Sequence, residues 1–120
     1  VEHYVIAMRF EDAQWREKIR RASHPRLVRK MAKNLFKRKK PNWKTERQVY
    51  MTRGMYIKCK TWPLVAKELL ETADRQIVDT TEYDYFWGIG RDTRGENRFG
   101  KVLEDVRRKL KEETSNEGSV

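Results

Sequence analysis

Apolar positions recur at helical spacing along most of the chain. Tyr4, Val5 and Met8 form one stripe, and Trp15, Ile19 and Ala22 form another at i, i+4 and i+7. Ser23 before Pro25 marks a stop and restart, because proline is accepted in a first helical turn. Beyond it Leu27, Val28, Met31, Ala32 and Leu35 continue one apolar face. The pattern lapses from Phe36 to Lys44 into a basic loop, Lys37-Arg38-Lys39-Lys40-Pro41-Asn42-Trp43. Thr45 with Gln48 matches a capping box and predicts a helix carrying Val49, Met51, Met55, Tyr56 and Cys59. Thr61-Trp62-Pro63 opens a shorter helix with Leu64, Val65, Leu69 and Leu70. Only residues 76–80 have extended character. Gly100 precedes a last helix whose Val102, Leu103, Val106 and Leu110 face inward, and residues 115–120 are expected to be a disordered tail. The fold expected is mainly α: a compact single-domain helical bundle with little or no sheet.

Composition narrows the partners. At 120 residues the chain fits one domain, and its hydrophobic share of 38% equals its charged share, so the core is thin. Lys and Arg number 28 against 18 Asp and Glu, a net charge of +10 that points to a polyanion. Residues 26–47 hold ten of those cations against one acid, Glu46. Such a run is most often a solvated face, but this one leads into Trp43. Cys59 is the lone cysteine, which excludes an internal disulfide and a cysteine-based metal site, and a reduced, cytoplasmic setting fits. No apolar run approaches the length of a membrane span, so no membrane partner is expected. Trp15 and Trp62 read as core residues.

The segment from Asp84 to Gly100 has neither helical nor strand periodicity. It sets Tyr85, Phe86 and Trp87 beside Gly88, Gly90, Gly95 and Gly100, with Asp84 and Asn97 among them. Glycine removes the side chain that would hold a ligand away, and Asp and Asn bond hydroxyls or a base. A tight turn pinned by a buried tryptophan uses the same residues.

Glu2-His3-Tyr4, Met8-Arg9-Phe10, Trp43, Met51, Lys58, Asp84-x-x-Trp87-Gly-x-Gly and Gly95-x-Asn97-x-x-Gly100 stand in the order and spacing of the NADAR (YbiA-like) family. The chain resembles that family over nearly all of residues 1–111, with residues 1–114 taken as the domain. The resemblance implies a mainly helical N-glycosidase. Some members hydrolyse phosphoribosylated pyrimidine intermediates of riboflavin synthesis, and others remove ADP-ribose from guanine in nucleic acid. Two departures stand out. Members carry further residues before the Glu-His-Tyr motif, so an N-terminal segment is expected to precede Val1. Arg9 stands where the family commonly has lysine, and a guanidinium stays protonated and is a poor nucleophile.

Breaking an N-glycosidic bond builds positive charge at the anomeric carbon and negative charge on the departing nitrogen. That chemistry calls for a carboxylate near the sugar, a proton donor near the base, and fixed contacts to hydroxyls and phosphate. In this frame Glu2 is the acid–base candidate, although an acid near a helix start also suits the dipole. Asp84 would stabilise the cationic carbon or orient water, or simply cap its turn. Lys58, expected to be partly buried beside Ile57 and Cys59, could attack as an amine or snorkel outward.

Substrate binding would fall to His3, Tyr4, Arg9, Trp43, Trp87, Gly88, Gly90, Gly95 and Asn97. Trp43 and Trp87 would stack on the base or line the sugar, and Asn97 would hold ribose or phosphate or cap the last helix. His24 beside Pro25 reads as turn chemistry. Neither metal nor other cofactor is expected. The leading expectation is removal of ADP-ribose from guanine in nucleic acid. Phosphoribosylated riboflavin intermediates come second, and a non-catalytic basic module binding nucleic acid or ADP-ribose third. The enzymatic reading expects the chain start and the tryptophan–glycine turn to share one sugar pocket.

Overall fold

The computed structural model describes residues 1–34 and 37–118. Among them the protein is mainly α, with six helices: α1 (Glu2–Met8), α2 (Ala13–Arg20), α3 (Pro25–Met31), α4 (Trp43–Thr61), α5 (Pro63–Glu71) and α6 (Arg98–Gly118). Extended pairing among the described residues is limited to one antiparallel bridge, Phe10 with Lys39. The chain divides into two compact units, Val1–Gly54 and Met55–Val120.

In the first unit α1 packs on α2 and α3. Ala7, Phe10, Ile19 and Val28 are fully buried, and Ile6, Trp15, Ala22 and Met31 close around them. Burying each larger apolar side chain stabilises by about 1.5–3 kcal/mol, so this small cluster carries the unit. Asp12 starts α2: its Oδ1 accepts from the Gln14 and Trp15 amides at 2.9 and 3.1 Å. His24 starts α3 as a turn residue, its Nδ1 accepting from the Arg26 amide, with Pro25 in the first turn. Gly54 of α4 lets α1 approach, since a Cβ there would meet Val1 at 3.0 Å and the Tyr4 ring at 3.3 Å.

In the second unit α5 packs on α6. Met55, Cys59, Leu69, Val102, Val106 and Leu110 are buried. Two cations of α6 hold the turn after α5. Buried Arg107 donates to the Thr72 hydroxyl and the Arg75 carbonyl, and Lys111 donates to the Ala73 carbonyl and Asp74.

Several elements differ from the sequence pattern. α4 begins at Trp43, so Thr45 lies inside it and caps nothing; its hydroxyl donates to the Asn42 carbonyl, which also takes the Thr45 and Glu46 amides. α6 begins at Arg98, ahead of Gly100, and continues through Ser115 to Gly118, where a disordered tail was expected. Trp62 is no core residue: at the N-cap of α5 it is 62% exposed. Trp15 does pack on the core, edge-on to Phe10. Residues 76–80 form no strand. The expected continuation of the third stripe to Leu35, and the start of the basic loop at Phe36, lie outside the described residues.

Two stability predictions follow. Ile19 has no exposed surface, so Ile19→Ala should cost about 2–5 kcal/mol in urea unfolding. Carboxylates set the acid side. The Lys37 ammonium, aided by the Trp15 amide, holds Asp12 below the usual carboxylate range; the Lys111 ammonium does the same for Asp74, and the Tyr56 hydroxyl for Glu113. A depressed folded value stabilises fully above about pH 5, where unfolded carboxylates are ionised, and is lost as pH falls through the folded values. The melting temperature should therefore drop on acidification, and an Asp12→Asn, Asp74→Asn, Glu113→Gln triple variant should show a shallower drop.

Candidate functional site

The first unit gathers cations around an aromatic wall. Residues 9–11 run antiparallel to the basic loop: the Lys40 amide donates to the Arg9 carbonyl at 2.8 Å and the Glu11 amide to the Arg38 carbonyl at 3.1 Å. Nearby acids are consumed by the first two members of the run, Asp12 by Lys37 at 3.0 Å and Glu11 by Arg38 at 3.2 Å. Among the described residues Lys39 and Lys40 have no carboxylate partner. Lys40 donates to the Tyr50 hydroxyl at 2.8 Å and sits 4.8 Å from the ring centre, while Lys39 lies over Phe10. Trp43 stacks on Tyr50 at 5.8 Å and 22°, and Tyr4 meets the same ring edge-on.

Beside this wall lies a hollow of about 330 Å³, lined by Arg9, Lys39, Lys40, Pro41, Asn42, Trp43, Lys44 and Thr45. Its lining holds four cations and no acid. Arg9 Nε is buried without a hydrogen-bond partner among the described residues, a donor whose desolvation no described acceptor offsets. Chemically the hollow can take an anion beside a flat ring.

Glu2 and His3 have partners in the same unit. Glu2 Oε1 accepts from Arg29 Nε at 2.9 Å with its side chain 42% exposed, so the carboxylate remains reachable by solvent. His3 Nε2 lies 2.9 Å from the Ala22 carbonyl. A carbonyl only accepts, so Nε2 carries the proton and the ring ties α1 to the end of α2.

In the second unit the segment from Asp84 to Gly100 folds on itself. Asp84 Oδ1 accepts from the Phe86 and Trp87 amides at 3.0 and 2.7 Å, the capped turn that its residue type suits. Its Oδ2 has no hydrogen-bond partner among the described residues. Trp87 is half-buried and edge-on to Phe86, with ring centres 4.7 Å apart.

The glycines stand where the chain meets its own atoms. A Cβ on Gly88 would sit 3.0–3.2 Å from the carbonyl oxygens of Asp79, Thr81 and Asp84. One on Gly90, where φ is +73°, would strike the Tyr85 ring; one on Gly95 would strike the backbone of Gly88 and Ile89; and one on Gly100 the Ile77 carbonyl and Asn97. The space that glycine frees at Gly88, Gly90 and Gly95 is filled by the protein's own atoms, not left for a ligand.

Asn97 has a structural role in the same segment. It is buried at φ +51°, its Oδ1 accepts from the Asp79 amide at 2.8 Å, and its Nδ2 donates to the Ile77 carbonyl at 2.9 Å. The amide fastens residues 77–79 to the turn, and both its atoms are engaged. Lys58 is corrected: it is exposed on α4, so the partial burial expected from Ile57 and Cys59 does not hold, and Ile57 is itself exposed. A second hollow, about 600 Å³ and lined by residues such as Cys59, Pro63, Leu70, Leu110 and Glu113, contains none of the expected site residues. No group of three or more His, Cys, Asp or Glu among the described residues is arranged to hold a metal.

Lys39, Lys40, Lys44 and Tyr50 line or build the first hollow without having been singled out. Their signal was present in the basic run and in the seven-residue spacing of Trp43 and Tyr50, which puts both on one helix face.

Comparison with known proteins agrees with this architecture. The model of the NADAR domain matches residues 1–111. "N-glycosidase YbiA" of Shigella boydii is 35% identical over 109 residues, 91% of this chain and 68% of that protein. "N-glycosidase Npun_R5314" of Nostoc punctiforme is 28% identical, over 92% of this chain and 73% of its own. "Riboflavin biosynthesis protein VVA0006" of Vibrio vulnificus is 30% identical over 92% of this chain and 30% of its own. The NMR structure of the Escherichia coli protein YbiA superposes with a TM-score of 0.86 at 34% identity, covering 94% of this chain and 67% of that one. The chain thus belongs to the NADAR domain family, and with it to the hydrolases that cleave N-glycosidic bonds.

Removing the Asn97 amide strands a backbone donor and a backbone acceptor. Asn97→Ala should lower stability by about 1–3 kcal/mol, read as a fall in melting temperature. Asn97→Asp should fail to restore it, because a carboxylate cannot donate to the Ile77 carbonyl.

Proposed function

We propose that the protein hydrolyses the bond between a base and the anomeric carbon of a phosphorylated ribose, with ADP-ribose on guanine of a nucleic acid as the favoured substrate. The observation that carries this reading is the cationic hollow beside Trp43, with four positive side chains and no acid in its lining. Phosphate oxygens would complete the bonding of Arg9, and the tryptophan ring would flank a base or sugar. The overall charge of +10 favours a polymeric anion over a free metabolite.

In the proposed reaction the carbon–nitrogen bond breaks with its electron pair leaving on nitrogen, which takes a proton, and water adds to the sugar cation and gives up a proton in return. Glu2, reachable by solvent, suits proton transfer, and the unbonded Oδ2 of Asp84 suits stabilising the cation or holding the water. Water is the favoured attacking group. Lys58 is exposed, where its ammonium stays solvated, and Arg9 does not lose its proton. A reducing, cytoplasmic setting fits Cys59, which is buried and whose thiol burial pushes up, away from reactivity.

A second reading, phosphoribosylated intermediates of riboflavin synthesis, draws on the printed name of the Vibrio vulnificus relative. Parallel assays for released base on an ADP-ribosylated guanine oligonucleotide and on the small intermediates separate the two. The favoured order predicts faster turnover of the oligonucleotide; turnover of the small intermediates alone reverses it. Asp84→Asn and Glu2→Gln should each lower kcat by about a hundred- to ten-thousand-fold. Lys39→Gln with Lys40→Gln should act mainly on KM and reduce its salt dependence. Unchanged kinetics in these variants would refute the assignment.

A further inference from the structure

Tyr83 and Tyr85 flank Asp84, yet both face solvent, 83% and 48% exposed. Neither adds much to the core, and neither hydroxyl bonds to another described residue. The segment that seats Tyr85 is nevertheless tied down by its own backbone. The Tyr85 ring lies on Gly90, where a Cβ would overlap it. The Glu96 amide donates to the Tyr85 carbonyl at 2.8 Å, Arg98 to Phe86 and Phe99 to Trp87 at 2.9 Å each, and Thr93 closes a turn onto the Gly90 carbonyl.

Charge around the pair is only partly neutralised. Asp84 and Asp92 each accept from turn amides, and Glu96 pairs with Arg98 at 3.1 Å. Arg91 and Arg94 are exposed and have no carboxylate partner among the described residues. Arg91 and Arg94 thus stand on the turn that seats Tyr85 without an ion-pair partner among the described residues, while Glu82, Asp84 and Asp92 keep their charge along the same segment.

We propose that Tyr83 and Tyr85 form a stacking platform for the nucleotides flanking the modified base in a single-stranded polynucleotide, with Arg91 and Arg94 meeting its phosphates. The proposal rests on the nucleic-acid reading of the substrate and names the residues that would select a polymer over a free nucleotide. Exposed tyrosines offer flat π faces to any base, and the fixed loop means little ordering entropy is lost on contact. Paired bases hide those faces, so a duplex gains nothing from the platform.

The test uses the whole chain and an unmodified, labelled single-stranded DNA oligonucleotide, read by fluorescence anisotropy. A Tyr83→Ser, Tyr85→Ser double variant should bind about 5- to 100-fold more weakly. Tyr83→Phe with Tyr85→Phe should keep the affinity, since the ring and not the hydroxyl is used. Turnover of a small phosphoribosylated substrate, where the parent protein shows it, should not change in either variant. Equal binding by the serine variant, equal affinity for duplex, or no binding by the parent protein overturns the platform. If base release fails everywhere while the serine variant alone loses oligonucleotide, the hydrolase reading falls and the platform stands.

Discussion

Antiparallel pairing of residues 9–11 with the basic loop is the constraint on which the candidate site depends. Left in water, Lys37 to Lys40 would spread apart. The bonds from Lys40 to Arg9 and from Glu11 to Arg38 fix their register instead. Asp12 and Glu11 then neutralise Lys37 and Arg38. Lys39 and Lys40 remain, and with Arg9 and Lys44 they line one hollow beside an aromatic wall. Like charges brought together without acids are a standing electrostatic cost, which a bound anion would relieve.

The same economy of acids appears at Asp84. One oxygen is committed to the turn that carries Trp87, and the other is left over. A carboxylate locked at one oxygen is held in place without being spent, as the proposed action on a sugar requires. Asp12 shows the structural version, one oxygen capping α2 and the other holding Lys37.

The glycine-rich segment follows from packing. Gly88, Gly95 and Gly100 stand where the chain passes close to its own carbonyls, and Asn97 supplies the paired bonds that a strand partner would otherwise give residues 77–79. A left-handed backbone at Asn97 is a conformation asparagine tolerates better than most residues. Specificity of the Trp-Gly-x-Gly to Gly-x-Asn motif therefore reports the shape of a loop before it reports contact with a ligand.

Helical periodicity was enough to foretell a mainly α chain, and Pro25, Pro63 and the lapse at residues 37–42 marked breaks, because apolar spacing and proline sterics are local properties. The basic run with Trp43 also signalled an anion before any folding. Exposure was not legible: Trp62, Ile57 and Leu64 look like core residues by type, yet which face of a helix is covered depends on what packs against it. The roles of the glycines and of Asn97 were equally hidden, because their partners lie as far away in sequence as Ile77 from Gly100. Residue types along the chain settled which chemistry was on offer. Only tertiary contacts decided which cations go unpaired and which polar groups are already spent.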